Sequence, residues 1–358
     1  MSESLELLTT FVAPPIVRRY NRLPEPPTEA RFESYDGAVL FLDISGFTKM
    51  TEELAELGSE GTEQITRILN SNFDKLVEHV CRHGGEVVKF AGDAFAAVWL
   101  MPTPKAGETE KDRSGRWSKI VLRVAACALR IQAETGKIGK APKVKSDSFA
   151  DKYKPDISFK IGIGTGDLQL AHVGGVSKRW DLLMKGKALE RAVTAEGSAV
   201  PGDIVLDHAS VGYIDHLAIG KDDVFAGFFL KELKKKPKVK DLATTIQPAP
   251  ETEEALRLYI PDAVKDRIDA GQGDFIGELR RVTVLFINLP DIRSGQSVSQ
   301  DQKIVQDVQD VVFRYEGAIN KLSIEITISI SGKFERSFFK KDHSVNCVAL
   351  CGTILATS

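Results

Sequence analysis

"FLDISGFT", residues 41–48, ends an apolar run on a carboxylate, Asp43, and follows it with Ser45 and Gly46. The run "GAVLFLDI", 37–44, is rich in β-branched and aromatic residues and bounded by turn formers, which predicts a buried strand. After it, "MTEELAELGSEGTEQITRILNSNFDKLVEHVCRHG", 50–84, repeats apolar residues every three or four positions from Ile65 to Val80, which predicts a long helix. A strand ending on an acid, a small turn and a helix start would place a hard oxygen ligand beside unpaired backbone N–H groups. That combination suits a metal ion and phosphate. The plainer alternative is an aspartate that caps the helix.

Working outward, "GEVVKFAGDAFAAVWL", 85–100, holds two apolar runs around a Gly-Asp turn and predicts a β-hairpin with Asp93 at its bend. This topology brings Asp43 and Asp93 to one edge of one sheet, 50 positions apart in sequence. Two carboxylates with few other polar groups nearby suit magnesium, which takes a small number of carboxylates and completes its shell with phosphate oxygens and water. Two such ions would form a two-metal site. The charged stretch 103–116 reads as a surface loop and "WSKIVLRVAACALRIQAE", 117–134, as a helix. "DISFKIGIGTGDLQLAHVGG", 156–175, reads as a second hairpin bending near Gly164-Thr165-Gly166. "ALERAVTAE", 188–196, reads as a helix, while "DIVLDHASV", 203–211, and "DVFAGFFLKEL", 223–233, read as strand-like pieces.

Residues 3–22 predict a short amphipathic helix interrupted by "APP", and "NRLPEPPTEARFES" predicts a connector. The lysine- and proline-rich run from 234 reads as a solvated linker. Beyond it the chain echoes itself: "RRVTVLFINLPDI" follows "DGAVLFLDISGFT", and "VVFRYEGAINKLSI" follows "EHVCRHGGEVVKFA". The alignment sets Asn288 on Asp43 and Lys321 on Lys89, so only the first copy offers a charged ligand at that position. Two unequal copies suggest a pseudo-twofold pair with its site between them. The resulting boundaries are a helix and connector over 1–35, a first domain over 36–232, a linker over 233–279, a partial second copy over 280–325 and a divergent tail over 326–358.

Composition narrows the class. Apolar content of 42%, charged content of 27% and a net charge of -2 are those of a globular chain without a basic excess for nucleic acid. No apolar run approaches the roughly 20 residues of a membrane span, and the first residues lack signal-peptide order. The four cysteines, scattered apart from a closing C-x-x-x-C pair at Cys347 and Cys351, fit reduced thiols, and a cytoplasmic location is the expectation.

"FLDISGFTKMTEEL" and "GGEVVKFAGDAFAAVW" resemble the first catalytic half of class III nucleotide cyclases, and within that family the soluble, bicarbonate-responsive adenylyl cyclases that carry two different halves in tandem. The resemblance covers about residues 36–325. It is closest over 37–100, and includes "LRLYIPDAVKDRI" and "GELRRVTVLFINL" at the entry to the second half. It implies an α+β, ferredoxin-like catalytic domain, an antiparallel-rich sheet flanked by helices, followed by a partial second copy. By the same resemblance Asp43 and Asp93 bind two magnesium ions, with manganese the alternative and the Ile44 carbonyl assisting. The segment Ile44, Ser45, Gly46, Phe47 and Thr48 wraps the phosphates, Lys160 sits near them, and Lys321 reads adenine. The implied reaction turns ATP into 3′,5′-cyclic AMP and pyrophosphate by in-line attack of the ribose 3′-hydroxyl on the α-phosphorus, with no covalent intermediate.

Lys89 and the Met184 backbone match the family's regulatory pocket, which makes bicarbonate the candidate activator. The pocket's arginine falls on Val193, with Arg191 two positions away and about 200° around a helix axis. From about residue 326 the match stops. Glu325 stands near the expected base-reading acid, and no asparagine–arginine helix for ribose and transition state follows, since Asn346 has no arginine after it. The expectation is an adenylyl cyclase-type domain, incomplete in this chain, that needs ATP and a complete second half in cis or in trans. The alternatives are a weak or inactive nucleotide-binding regulatory fragment, or guanylyl specificity.

Overall fold

A computed structural model describes residues 3–91, 94–104, 106–138, 157–237, 246–271, 279–287, 289, 292, 295–319, 322 and 347–355. At its centre lies β1 (Arg31–Ser45), paired antiparallel with β3 (Ala94–Leu100) on one side and β4 (Ser158–Gly174) on the other. The β1 side chains alternate between two cores. Ala38, Leu40, Leu42 and Ile44 face one that holds α4 (Ser59–Arg82) and α5 (Glu110–Ile138), and Val39 faces one that holds α6 (Lys187–Gly197). A sheet covered on both faces explains why "AVLFL" is apolar without alternation.

The eight-stranded sheet runs β2 (Glu86–Ala91), β3, β1, β4, then β6 (Ile204–Leu206), β8 (Gly227–Leu233) and β7 (Ala218–Asp223). The outer edge of β4 is shared. Its first half pairs in parallel with β6, and its second half pairs antiparallel with β5 (Trp180–Lys185). The expected helix over 50–84 is two helices, α3 (Phe47–Ala55) and α4, separated by a turn with Gly58 at φ +68°.

Four further readings are corrected. The second hairpin is instead one 17-residue strand, β4. Its glycines serve close packing, not a bend: a Cβ at Gly162 would stand 2.0 Å from the Ala192 carbonyl oxygen, and one at Gly164 2.4 Å from that of Ala188, both on α6. The surface loop over 103–116 gives way to helix at Glu110, where two early acids, Glu110 and Asp112, suit the helix dipole. "DIVLDHASV" is a strand only to Leu206. Asp207 then caps α7 (His208–Gly212), accepting from the backbone N–H groups of Ala209 and Ser210 at 3.1 Å each.

The fourth correction concerns the connector and linker. β1 already starts at Arg31, and part of the linker folds as α8 (Glu253–Arg257) and α9 (Asp262–Asp269). These pack on α1 (Glu3–Thr10) and α2 (Pro14–Tyr20) in a separate core of Leu5, Leu8, Ile16, Val17, Leu256 and Ile260. The apolar residues of these two segments, with Trp180 of β5, form that core together.

Within the expected second copy the structure describes a strand, β9 (Leu279–Ile287), and a helix, α10 (Val298–Arg314), with Ser297 capping α10 in a reciprocal box with Gln300. The strand β10 (Cys347–Leu355), from the tail, pairs antiparallel with β9. Asn288 and Lys321 lie outside the described residues. Helix α10 docks on β4 and β5 through Val305, which packs with Ala171, Val173 and Leu183, and through polar groups. Lys185, 2% exposed, pairs with the fully buried Asp301 and donates to the Gln296 carbonyl at 3.0 Å. Gln302 accepts from Gly174 N–H at 2.8 Å, and Gln309 donates to the Arg179 carbonyl at 3.1 Å.

Candidate active site

Asp43 sits in the last turn of pleat on β1, directly across from Lys160 on β4 and Ala94 on β3. Odd-numbered β1 residues and even-numbered β4 residues share the sheet face under α6, so Asp43, Lys160 and the glycine at 162 line one surface. The Lys160 ammonium lies 3.0 Å from Asp43 Oδ2 and 2.7 Å from Glu196 Oε1, at the end of α6. The side chains of Asp43 and Lys160 keep about a quarter of their surface open, at 27% and 26%, whereas that of Glu196 keeps 10%. Burial works to lower the Lys160 pKa, but the bonds to Glu196 and Asp43 outweigh it and the pKa is raised.

One residue past Ser45 the chain turns at Gly46 with φ +88°, in the left-handed region that favours glycine. Helix α3 starts at once, with no side-chain cap and no acid in its first turn. Its first N–H groups therefore face the same end of the sheet as Asp43 with the dipole's positive end. The Ile44 side chain is buried at 3%, so only its backbone is available to a ligand, while the half-buried Phe47 packs partly against the same core. Asp43 does not cap the helix, since Gly46 holds that position.

Asp93 and Lys321 lie outside the described residues, as does the Thr48 side chain. Ala94, which follows Asp93 in sequence, is the residue paired with Asp43. Glu196, the third member of the cluster, was not among the sequence candidates. The only signal available was its place at the end of a predicted helix, and nothing in that spacing pointed to β4.

The residues expected in the second candidate pocket lie as follows. Lys89 pairs with Ala96, beyond a bulge after Val87, and the Ala96 side chain joins a cluster with Met184 and, at its margin, Val193. Met184 is buried at 5%. Arg191 turns elsewhere, donating to the Thr165 carbonyl at 2.6 Å and lying 3.6 Å from Asp207. Asp181, on β5, has its pKa raised by burial, opposed by the positive charges of Arg179 and Lys89.

The donor chemistry at Asp43 fits a divalent cation. The group is a hard carboxylate, partly open, and one flank already attracts a cation in the form of the Lys160 ammonium. No cluster of three or more His, Cys, Asp or Glu side chains that could hold a metal occurs among the described residues.

Residues 32–223, more than half of the chain, match the family described as the adenylate and guanylate cyclase catalytic domain. The chain belongs to that family. The cyclase domain also has curated relatives. Adenylate cyclase type 10 of Homo sapiens is 27% identical over 348 residues, an alignment that takes in 86% of this chain and 20% of the relative. Adenylate cyclase type 10 of Rattus norvegicus is 27% identical over 331 residues, with 84% and 19% covered. The chain thus spans about a fifth of the length of these relatives. Among solved structures, the adenylyl cyclase CyaB from P. aeruginosa covers 56% of this chain and 93% of its own, at 19% identity and a TM-score of 0.43. The family assignment rests on the matched residues 32–223. The cyclase domain's described helices include none long and apolar enough to cross a membrane.

Proposed function

We propose that this cyclase domain binds ATP with magnesium and contributes the metal- and phosphate-binding half of an adenylyl cyclase site, making 3′,5′-cyclic AMP and pyrophosphate. The observation that carries the reading is Asp43 and Lys160 side by side at the sheet end where α3 begins uncapped behind Gly46. Asp43, the Ile44 carbonyl and, by resemblance, Asp93 would hold magnesium, which supplies Lewis-acid stabilisation of phosphate charge. The backbone of 44–48 meets the phosphate tail with N–H donors, and the Lys160 ammonium balances its charge. In the reaction the ribose 3′-oxygen attacks the α-phosphorus, losing its proton, as pyrophosphate leaves on the opposite side.

Lys321 is proposed to read adenine. The residues expected to orient ribose and steady the transition state have no match in this sequence, so a complete second half, in cis or in trans, is proposed as the partner. Lys89 and Met184 share one sheet face, which supports a small-anion pocket for bicarbonate. Val193 in place of arginine argues for weak binding there.

The test is ATP binding by the full chain with and without magnesium, together with detection of cyclic product. Magnesium-dependent binding that Asp43→Asn removes is expected, with product rising when a second half is added. Each electrostatic donor absent from the second half costs on the order of 10²- to 10³-fold in rate, which the added half should restore. Binding without product under every partner condition would favour the regulatory-fragment reading, and preference for GTP would favour guanylyl specificity. Equal binding by Asp43→Asn would sink the proposal.

A further inference from the structure

We propose that Glu196 is a positioning residue for this site, a buried carboxylate that shares the Lys160 ammonium with Asp43 and thereby sets how readily Asp43 releases that ammonium to a divalent cation. The inference rests on the metal-binding reading of Asp43 given above.

Three observations carry it. One ammonium bridges two carboxylates, at 3.0 Å and 2.7 Å, so neither acid owns it. The two acids stand on rigid elements. Asp43 is locked in register opposite Lys160 on adjacent strands. Glu196 is held by a helix so close to the sheet that a Cβ at Gly162 would come 2.4 Å from its backbone nitrogen and 2.8 Å from its own Cβ. Lysine has four rotatable side-chain bonds, so the ammonium is the mobile member of the three.

The consequence is electrostatic. A divalent cation arriving at Asp43 repels an ammonium a few ångströms away, and the repulsion grows in a partly desolvated site. With Glu196 present, the ammonium shifts a short distance to a second carboxylate and stays near the phosphate tail. Without that carboxylate, the ammonium collapses onto Asp43, and the metal must displace it outright. Glu196 therefore lowers the cost of exchange without touching metal or substrate.

The experiment titrates Mn²⁺ into the full chain without nucleotide and follows free Mn²⁺ by electron paramagnetic resonance. Wild type, Asp43→Asn, Glu196→Gln, Lys160→Gln and the Glu196→Gln/Lys160→Gln pair are compared, with thermal unfolding as a check of folding. Asp43→Asn is expected to lose the site. Glu196→Gln is expected to weaken binding on the order of fivefold, and to do so at least threefold less once Lys160 is glutamine. Lys160→Gln alone is expected to tighten binding, which keeps the inference testable if Glu196→Gln does not fold.

Asp43-dependent binding unchanged by Glu196→Gln would overturn it. So would an equal loss with and without Lys160, which would mean only a through-space charge effect, or a Lys160→Gln affinity no tighter than wild type. If wild type and Asp43→Asn bind alike, the metal reading itself has failed, and the role of Glu196 with it.

Discussion

Replacing Gly162 with alanine tests the packing that builds the site. The added Cβ would stand 2.0 Å from the Ala192 carbonyl oxygen and 2.4 Å from the Glu196 nitrogen, both backbone atoms that no rotamer change can move. Ordinary contact begins at 3.4 Å, so α6 must retreat by about 1.4 Å or the strand must buckle. Overpacking of this kind costs about 1–3 kcal/mol. For a domain of about 200 residues each kcal/mol is worth about 2–4 °C, so the expected fall in Tm is about 2–12 °C. Backbone entropy pushes the other way, since alanine in place of a strand glycine restricts the unfolded chain and alone would stabilise by about 0.4–1 kcal/mol. The sign of the change is therefore diagnostic.

The assay is thermal unfolding followed by far-ultraviolet circular dichroism, with Gly115→Ala as the matched control. Gly115 lies inside α5 and a Cβ there meets nothing within 4 Å, so that variant should gain about 0.5–1 kcal/mol. A Gly162→Ala protein melting at or above wild type would refute the close approach of α6 to β4, and with it the placement of Glu196 beside Lys160.

Lys185→Met should cost about 3–5 kcal/mol in urea unfolding, because it strands the carboxylate of the fully buried Asp301; Lys185→Met/Asp301→Leu should recover most of the loss. Protease cleavage within α10 should rise in the single variant and fall back in the double. Asp207→Ala should cost about 1 kcal/mol through the lost cap of α7, read in the same urea assay. His172 accepts or donates at 2.7 Å to the Tyr259 hydroxyl, and burial, assisted by the Arg19 charge, lowers its pKa from 6.5 to about 4. The unfolded chain therefore binds a proton below about pH 6.5 that the fold refuses, and stability should decline by up to about 3 kcal/mol as pH falls from 6.5 toward 4. His172→Gln should flatten that decline in part, because burial also lowers the His83 pKa.

The central strand, the helix after it and the first hairpin were legible because each obeys a local rule. "AVLFL" is a run that only a doubly covered strand tolerates, and Ile65, Ile68, Leu76 and Val80 repeat at helical spacing over one core. Asp43 could be singled out for the same reason: a charge that breaks such a run stands out in one dimension. The glycines of β4 misled because their purpose is not local. In sequence, Gly164 and Gly166 look like a turn; in the fold they and Gly162 are the floor on which α6 rests. Likewise α8 and α9 read as linker because their few apolar residues gain a core only from α1 and α2, more than two hundred positions earlier.

The sequence by itself determined the order of the strands and helices around "FLDISGFT" and marked the acid at its centre, because backbone periodicity and turn chemistry are written in neighbouring residues. Only the tertiary structure decided what that acid faces. The meeting of Asp43 with Lys160 is fixed by a strand register spanning more than a hundred residues, and Glu196 joins them because missing Cβ atoms let a helix close onto the sheet.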